Sequence, residues 1–306
     1  GSIALKGSLL NFEDDRVYGS GFKGEVELEV LGKFEAQTSA LFGKSKHYRY
    51  WYADALTELP AGPAIGPLEF NQFGGGAYYH MRKAIQEDQV HSDIGHTATW
   101  VTYIPDPYSK LGVKARLGFR MLGQDKVFNG DATFEVRFNQ SGGLRNVGFR
   151  GNGYFITPRL ENDLSKIGKK FKDLTKGNKD RSGLEKNTPR GQICAHLNLN
   201  YDVRAKTLHG NLNTYVNVGG GLLRGTGPGG MAGEAVMHFS PDKWYIHIGS
   251  PLNPVGVEAL SLASMESYFM VGDEIPGSPE PPPEVSEILG NIDLDYMDDL
   301  NALGTG

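Results

Sequence analysis

Apolar and polar residues alternate one by one over much of this chain. In KGEVELEVLGKFEAQTSALFG, Val26, Leu28 and Val30 fall on one side and Glu25, Glu27 and Glu29 on the other. After Leu31-Gly32-Lys33 the alternation resumes through Phe34, Ala36, Thr38 and Ala40. Successive strand side chains point to opposite faces, so the pattern predicts an antiparallel hairpin with one buried and one wet side. Two more stretches repeat it. DATFEVRFNQSGGLRNVGFRG alternates at Phe134, Val136 and Phe138, turns at Ser141-Gly142-Gly143 and returns through Leu144, Val147 and Phe149. AHLNLNYDVRAKTLHGNLNTYVNV alternates at Leu197, Leu199, Tyr201 and Val203, turns near Arg204-Ala205-Lys206 and returns through Leu208, Leu212, Tyr215 and Val218. Such short connections suit antiparallel hairpins. The expected fold is mainly β: an extended antiparallel sheet of hairpins, an elongated meander or sandwich, with one short helical basic insertion.

The stretch DKWYIHIGSPLNP predicts one further strand. A sheet buried on one side would place Trp244, Ile246 and Ile248 in the core and Tyr245 and His247 opposite. The loop from Gly249 to Pro254 ends it, and strand-like material returns at Tyr268-Phe269-Met270-Val271. The Asn-rich side of the third hairpin (Asn198, Asn200, Asn211, Asn213, Asn217) reads as a solvated face without accumulated charge.

The pattern breaks at residues 159–190, where ten Lys or Arg stand against five Asp or Glu in a chain of net charge −5. Leu160, Leu164, Ile167, Phe171 and Leu174 follow helical spacing, predicting a short amphipathic helix. The chain is thus expected to carry β structure over 1–158, a basic, partly helical insertion over 159–192, and a continuation of the same β domain over 193–272. A Pro-rich linker and acidic tail over 273–306, with IPGSPEPPPEV from Ile275, lead into a next module. Lys166, Lys169, Lys170, Lys172 and Lys176 are the candidate polyanion contacts in the insertion.

Composition narrows the functional classes. The 42 glycines among 306 residues fit a turn-rich β chain better than a helical bundle. The acidic balance offers no general attraction to nucleic acid, and none is expected as a partner. No stretch approaches the roughly 18 apolar residues of a spanning helix, so no transmembrane segment is expected. One cysteine, Cys194, excludes an internal disulfide and any multi-cysteine metal site.

Catalytic patterns are sparse. His80, His91 and His96 lie within seventeen residues around Asp93, but the i, i+5 spacing of His91 and His96 matches neither helical nor strand ligand spacing, so neither metal nor cofactor is expected. No Gly-x-Ser-x-Gly elbow occurs. Glu69, Asp131, Glu135 and Asp202 sit on predicted strands and offer carboxylates for glycoside hydrolysis, though no spacing selects a pair. The glycine runs Gly74-Gly75-Gly76, Gly219-Gly220-Gly221 and Gly225–Gly230 lack the context of a phosphate loop and read as turns or close backbone approaches.

Aromatic residues supply the candidate ligand site. In HYRYWYADALTELP a strand places Tyr48, Tyr50 and Tyr52 on one face and Arg49 and Trp51 on the other. A solvent-facing row of rings beside an arginine suits sugar stacking, and these five are the candidate ligand-binding residues. The same rings also suit a sheet face covered by a loop.

The phrases RYWYADAL, FGGGAYYHM, YIPDPYSKLGVKA, KWYIHIGSPLNPVGVEA and SYFMVGDEIPGSPEPPP follow one another from Arg49 to Pro283. Together they resemble a segment of large, uncharacterised β-rich proteins of Bacteroidetes-type bacteria, over about three quarters of the chain. The resemblance implies a module of a very long secreted, surface or delivered protein and carries no site residues with it. The function expected is a non-catalytic structural or adhesive module at the cell surface or outside the cell, contacting neighbouring modules of the same chain and a surface glycan. A polysaccharide-acting enzyme, and a toxin-like effector touching a membrane or polyanion through its basic insertion, are the alternatives.

Overall fold

Alternation produces strands throughout this computed structural model. It describes residues 3–275 except 31–33, 46, 86–87, 89–92, 125–126, 156–191, 220 and 274. The helix expected after residue 159 and its five lysines lie outside the described residues, as does the chain from 276 onward. The chain divides into two compact units, Gly1–Thr188 and Pro189–Gly306.

The first unit holds β1 (Ile3–Asp15), β2 (Gly19–Val30), β3 (Phe34–Lys44), β4 (Arg49–Glu58), β5 (Ala64–Ile65) and β6 (Leu68–Tyr79). It continues through β7 (Met81–Lys83), β8 (Tyr103–Pro105), β9 (Gly112–Met121), β10 (Phe128–Phe138) and β11 (Leu144–Phe155). The main sheet is an antiparallel meander in the order β1-β2-β3-β4-β6-β9-β10-β11. The hairpins read from the sequence are β2–β3 and β10–β11, the latter turning at Ser141–Gly143 as expected; residues 31–33 lie outside the described residues. Between β6 and β9 the chain makes a long excursion over residues 80–111, in which β7 and β8 pair as a small ribbon.

Directly opposed residues on antiparallel strands share a face, so the registers sort the side chains. One rung runs Glu25–Ser39–Asp54–Gly76–Lys114–Glu135. Its neighbour on the other face runs Val26–Thr38–Ala55–Gly75–Ala115–Phe134. The polar face is the covered one. Asp54 and Lys114 are buried, whereas Val26 is 44% and Phe134 46% exposed. This corrects the expectation that Val26, Leu28 and Val30 line the buried side. The physical reason is the excursion: residues 93–103 lie across the polar face and give its polar groups partners, which alternation along a single strand cannot reveal.

The second unit contains β12 (Ile193–Asp202), β13 (Thr207–Val218), β14 (Leu223–Gly225), β15 (Met231–Phe239) and β16 (Trp244–Ile248). It ends with β17 (Val255–Ala259), β18 (Ala263–Ser267) and β19 (Phe269–Gly272). Its main order is β12-β13-β15-β16-β19, and β14, β17 and β18 extend from β13 as a side sheet. The third hairpin and the strand at Trp244 stand as expected, and β19 closes against β16. The face assignment again differs: Trp244 and Ile248 are exposed, not in a core. The opposite face carries a run of stacked rings, His238 on Tyr245 (5.2 Å) and Tyr245 on His247 (4.6 Å). Among the described residues no helix is long and apolar enough to cross a membrane.

Candidate functional site

The covered face of the first unit gathers most of the chemistry-bearing side chains, in layers along the strands. Its first layer is aromatic. Tyr50 and Tyr52 on β4, Tyr78 on β6 and Leu41 on β3 meet Tyr18, Ile94, Tyr103 and Ile104 in one buried cluster. Tyr50 donates its hydroxyl to the Tyr18 carbonyl, Tyr18 to the Tyr103 carbonyl at 3.0 Å, and Tyr52 to the His96 carbonyl at 2.6 Å. Burial pushes the Tyr18 and Tyr103 phenols well above their ordinary range. Both are neutral at any physiological pH, and Tyr18 stays a donor.

The next layer is ionic. Asp54 accepts from the Thr99 amide at 2.7 Å, from the Thr99 hydroxyl at 2.9 Å, and from Lys114 Nζ at 2.7 Å. Lys114 donates again to Thr99 Oγ1 at 2.6 Å and lies 5.0 Å from the Tyr103 ring centroid. Arg116, two residues along β9, pairs with Asp131 at 3.1 Å and places its guanidinium 4.7 Å from the Trp100 ring centroid. Trp100 sits at φ 61°, a left-handed backbone seldom taken by a bulky residue. Furthest along, Arg120 binds Glu69 at 2.7 Å and the Pro60 carbonyl at 2.6 Å.

Two glycines make the close packing possible. A Cβ on Gly74 would come within 2.9 Å of Leu56 Cδ1 and 3.1 Å of Thr99 Cγ2, and one on Gly76 within 2.8 Å of Asp54 Oδ2. The glycine run is therefore a bare patch of sheet on which Thr99 and Asp54 meet, which assigns the close approach anticipated for it.

The row Tyr48-Tyr50-Tyr52 expected to face solvent is covered instead. Tyr50 and Tyr52 are each 1% exposed with their hydroxyls engaged, and Tyr48 is half-buried, packed against the same cluster. The loop-covered alternative weighed for these rings describes them. Arg49 is exposed and Trp51 half-buried on the opposite, apolar face, so the structure does not bring the five together. Lys166, Lys169, Lys170, Lys172 and Lys176 lie outside the described residues.

The four carboxylates considered for hydrolysis are all occupied. Glu69 holds Arg120 and accepts from the Gly62 amide. Asp131 holds Arg116 and Asn152. Glu135 accepts from Tyr78, and Asp202 accepts the Arg204 and Ala205 amides at the β12–β13 turn. The histidines are occupied as well: His80 links the Arg49 carbonyl to Lys110, and His96 bonds Thr102 and Asp93. His91 lies outside the described residues. Among the described residues no group of three His, Cys, Asp or Glu side chains is arranged to hold a metal ion. Cys194 is buried.

Reading single strands missed Lys114, Arg116, Arg120 and Thr99. A signal was present: Lys114, Arg116 and Arg120 share one side of β9, and Asp131 and Glu135 share the same side of the next strand, β10. What arrives from 80–111 to complete the pairing has no local signature. Compared with known proteins, the chain matches no protein family, no curated protein and no solved structure.

Proposed function

We propose that this chain is a non-catalytic structural β module of a large bacterial secreted or surface protein. The supporting observation is that Glu69, Asp131, Glu135 and Asp202, the carboxylates an acid–base mechanism would draw on, each hold a cation, a hydroxyl or backbone amides of the fold itself. General acid–base catalysis needs a carboxyl within reach of substrate and free to exchange its proton. Asp54 and Lys114, the most enclosed pair, neutralise each other with side chains 1% and 4% exposed. Such a face rigidifies a sheet and anchors the segment across it. The bacterial, surface-exposed setting follows from the resemblance of the Arg49–Pro283 phrases to segments of long β-rich proteins.

A panel of polysaccharides offered to the purified chain tests this reading. No turnover is expected, and Glu69→Gln and Asp131→Asn are expected to lower unfolding stability. Turnover by the parent chain that disappears in either variant, with the fold retained, overturns it.

A further inference from the structure

The uncovered face of the β1–β11 meander is apolar almost from end to end. Among the residues that the registers pair, β2, β3, β4, β6, β9, β10 and β11 turn no Asp, Glu, Lys or Arg to that side except Lys44 and Arg49, which oppose each other at one margin. Arg145 sits outside those pairs, at the bulge between Leu144 and Asn146 at the end of β11. Leu5 is 70% exposed there, and Leu117 41%. Soluble monomers rarely leave more than a few hundred Å² of contiguous apolar surface open, and seven adjacent strands exceed that.

Eight of the aromatic residues on this face stand in two bands, with Phe73, Phe134 and Phe149 between them. Phe22, Phe42, Trp51 and Tyr79 form one rung next to Lys44 and Arg49. Phe70, Phe119, Phe128 and Phe155 form the other, ring to ring with centroids 6.3, 5.7 and 4.5 Å apart. Between the bands lie small residues such as Thr38, Ala55, Gly75 and Ala115 on the central strands, with the larger apolar Phe73, Leu117, Phe134 and Phe149 beside them. From Phe128 to Phe138 the chain takes ten residue steps, roughly 34 Å of strand. At the usual tilt of about 40° this gives close to ~25 Å of height, the apolar band between the aromatic girdles of membrane-spanning sheets. Charges paired inside and apolar side chains outside are the polarity such sheets require.

We infer that the uncovered face of β1–β11 is a lipid-contacting surface whose partner is the acyl-chain region of a bilayer. The two aromatic bands lie at its boundaries and Lys44 and Arg49 at headgroup level. The inference names a partner for the structural module proposed above and rests on that reading only in treating the covered face as chemically inert. The expectation of no transmembrane segment concerned helices, and among the described residues no helix is long and apolar enough to cross a membrane; contact through a sheet face is a separate matter. A sheet cannot leave edges open in hydrocarbon, so the sides of β1 and β11 away from β2 and β10 are paired when the face is in lipid.

The test uses the full chain carrying Cys194→Ala and one new cysteine labelled with a polarity-sensitive dye, either Phe134→Cys on the face or Ser141→Cys in the β10–β11 turn. Each is folded from urea into phosphatidylcholine vesicles with and without brominated acyl chains. At 134 the emission should shift to the blue and lose about half its intensity or more to bromine, while the dye at 141 does neither. In the otherwise unaltered chain, Leu117→Arg and Phe134→Arg should each cut the vesicle-bound fraction at least about tenfold with strand content retained. Water-like emission at 134 in a folded, vesicle-exposed chain overturns the inference. So does shielding of 134 without lipid in a discrete dimer, which assigns the face to a second copy, and so does vesicle binding unaffected by either arginine. Polysaccharide turnover reads the function proposal separately, so the two fail independently.

Discussion

Lys114 Nζ lies 2.7 Å from Asp54 Oδ2, and Thr99 bonds both partners. The pair is thus tied to the segment that covers it. Removing one member strands the other charge without water, which costs about 3–5 kcal/mol in buried pairs, whereas replacing both by apolar residues of similar size is often close to neutral. Lys114→Met and Asp54→Leu should each lower the unfolding free energy by about that amount. The double variant should recover most of the loss. Equilibrium denaturation of the four proteins in a double-mutant cycle measures the coupling.

Two glycines opposite tyrosines are expected to tolerate no side chain. A Cβ on Gly43 would come within 2.2 Å of Tyr50 Cζ, and one on Gly112 within 2.2 Å of Tyr78 Cζ. Gly43→Ala and Gly112→Ala should each destabilise by about 1–3 kcal/mol, the usual cost of overpacking. Gly24, with nothing within 4 Å of its Cβ position, is the control: Gly24→Ala should be neutral or gain up to about 1 kcal/mol. Thermal midpoints rank the three.

Acid should weaken the Arg82–Asp88 tie. Arg82 Nη1 donates to Asp88 Oδ2 at 2.8 Å, and the Ile85 amide donates to the same oxygen at 2.7 Å. The Arg82 hydrogen bond, helped by that amide, holds the Asp88 carboxyl below its ordinary value of 3.8. A depressed carboxyl contributes stability that is complete above its unfolded value and disappears as pH falls through the folded one. The stability difference between the parent and Asp88→Asn should therefore be flat near neutrality and shrink below about pH 4. Unfolding curves of both proteins between pH 7 and pH 2 check it.

Cys194 is enclosed opposite Tyr215. A thiol without access is inert whatever its chemistry. Its reaction with a disulfide reagent should follow the rate of unfolding, and a fast phase in native buffer would contradict the burial.

Alternation along single strands was enough to find β2, β3, β10, β11, β12, β13 and β16 and two of their turns. The period of two is a local property of the backbone, so it needs no tertiary knowledge. The same alternation could not tell which face is covered, because Glu25 and Val26 exchange roles only through residues 93–103, more than sixty positions away. The tyrosine row failed for the same reason. Tyr50 and Tyr52 look alike whether water or Ile94 lies above them. The ion-paired layer was half legible, as bases on β9 against acids on β10. Thr99 and Trp100 were not, since a strap held by its amide and a left-handed backbone obeys no periodicity.

The strap also sets a schedule for biosynthesis. β1 to β4 are made before any residue from 93 to 103 exists, yet Tyr18 waits for Tyr103 and Tyr52 for His96. Hairpins close in about 1–10 μs, while translation adds roughly 5–20 residues per second. The early ribbons therefore spend seconds with their tyrosines and Asp54 unsealed. During that interval a nascent-chain chaperone has most to protect, and slowed translation between codons 58 and 93 would prolong the exposure.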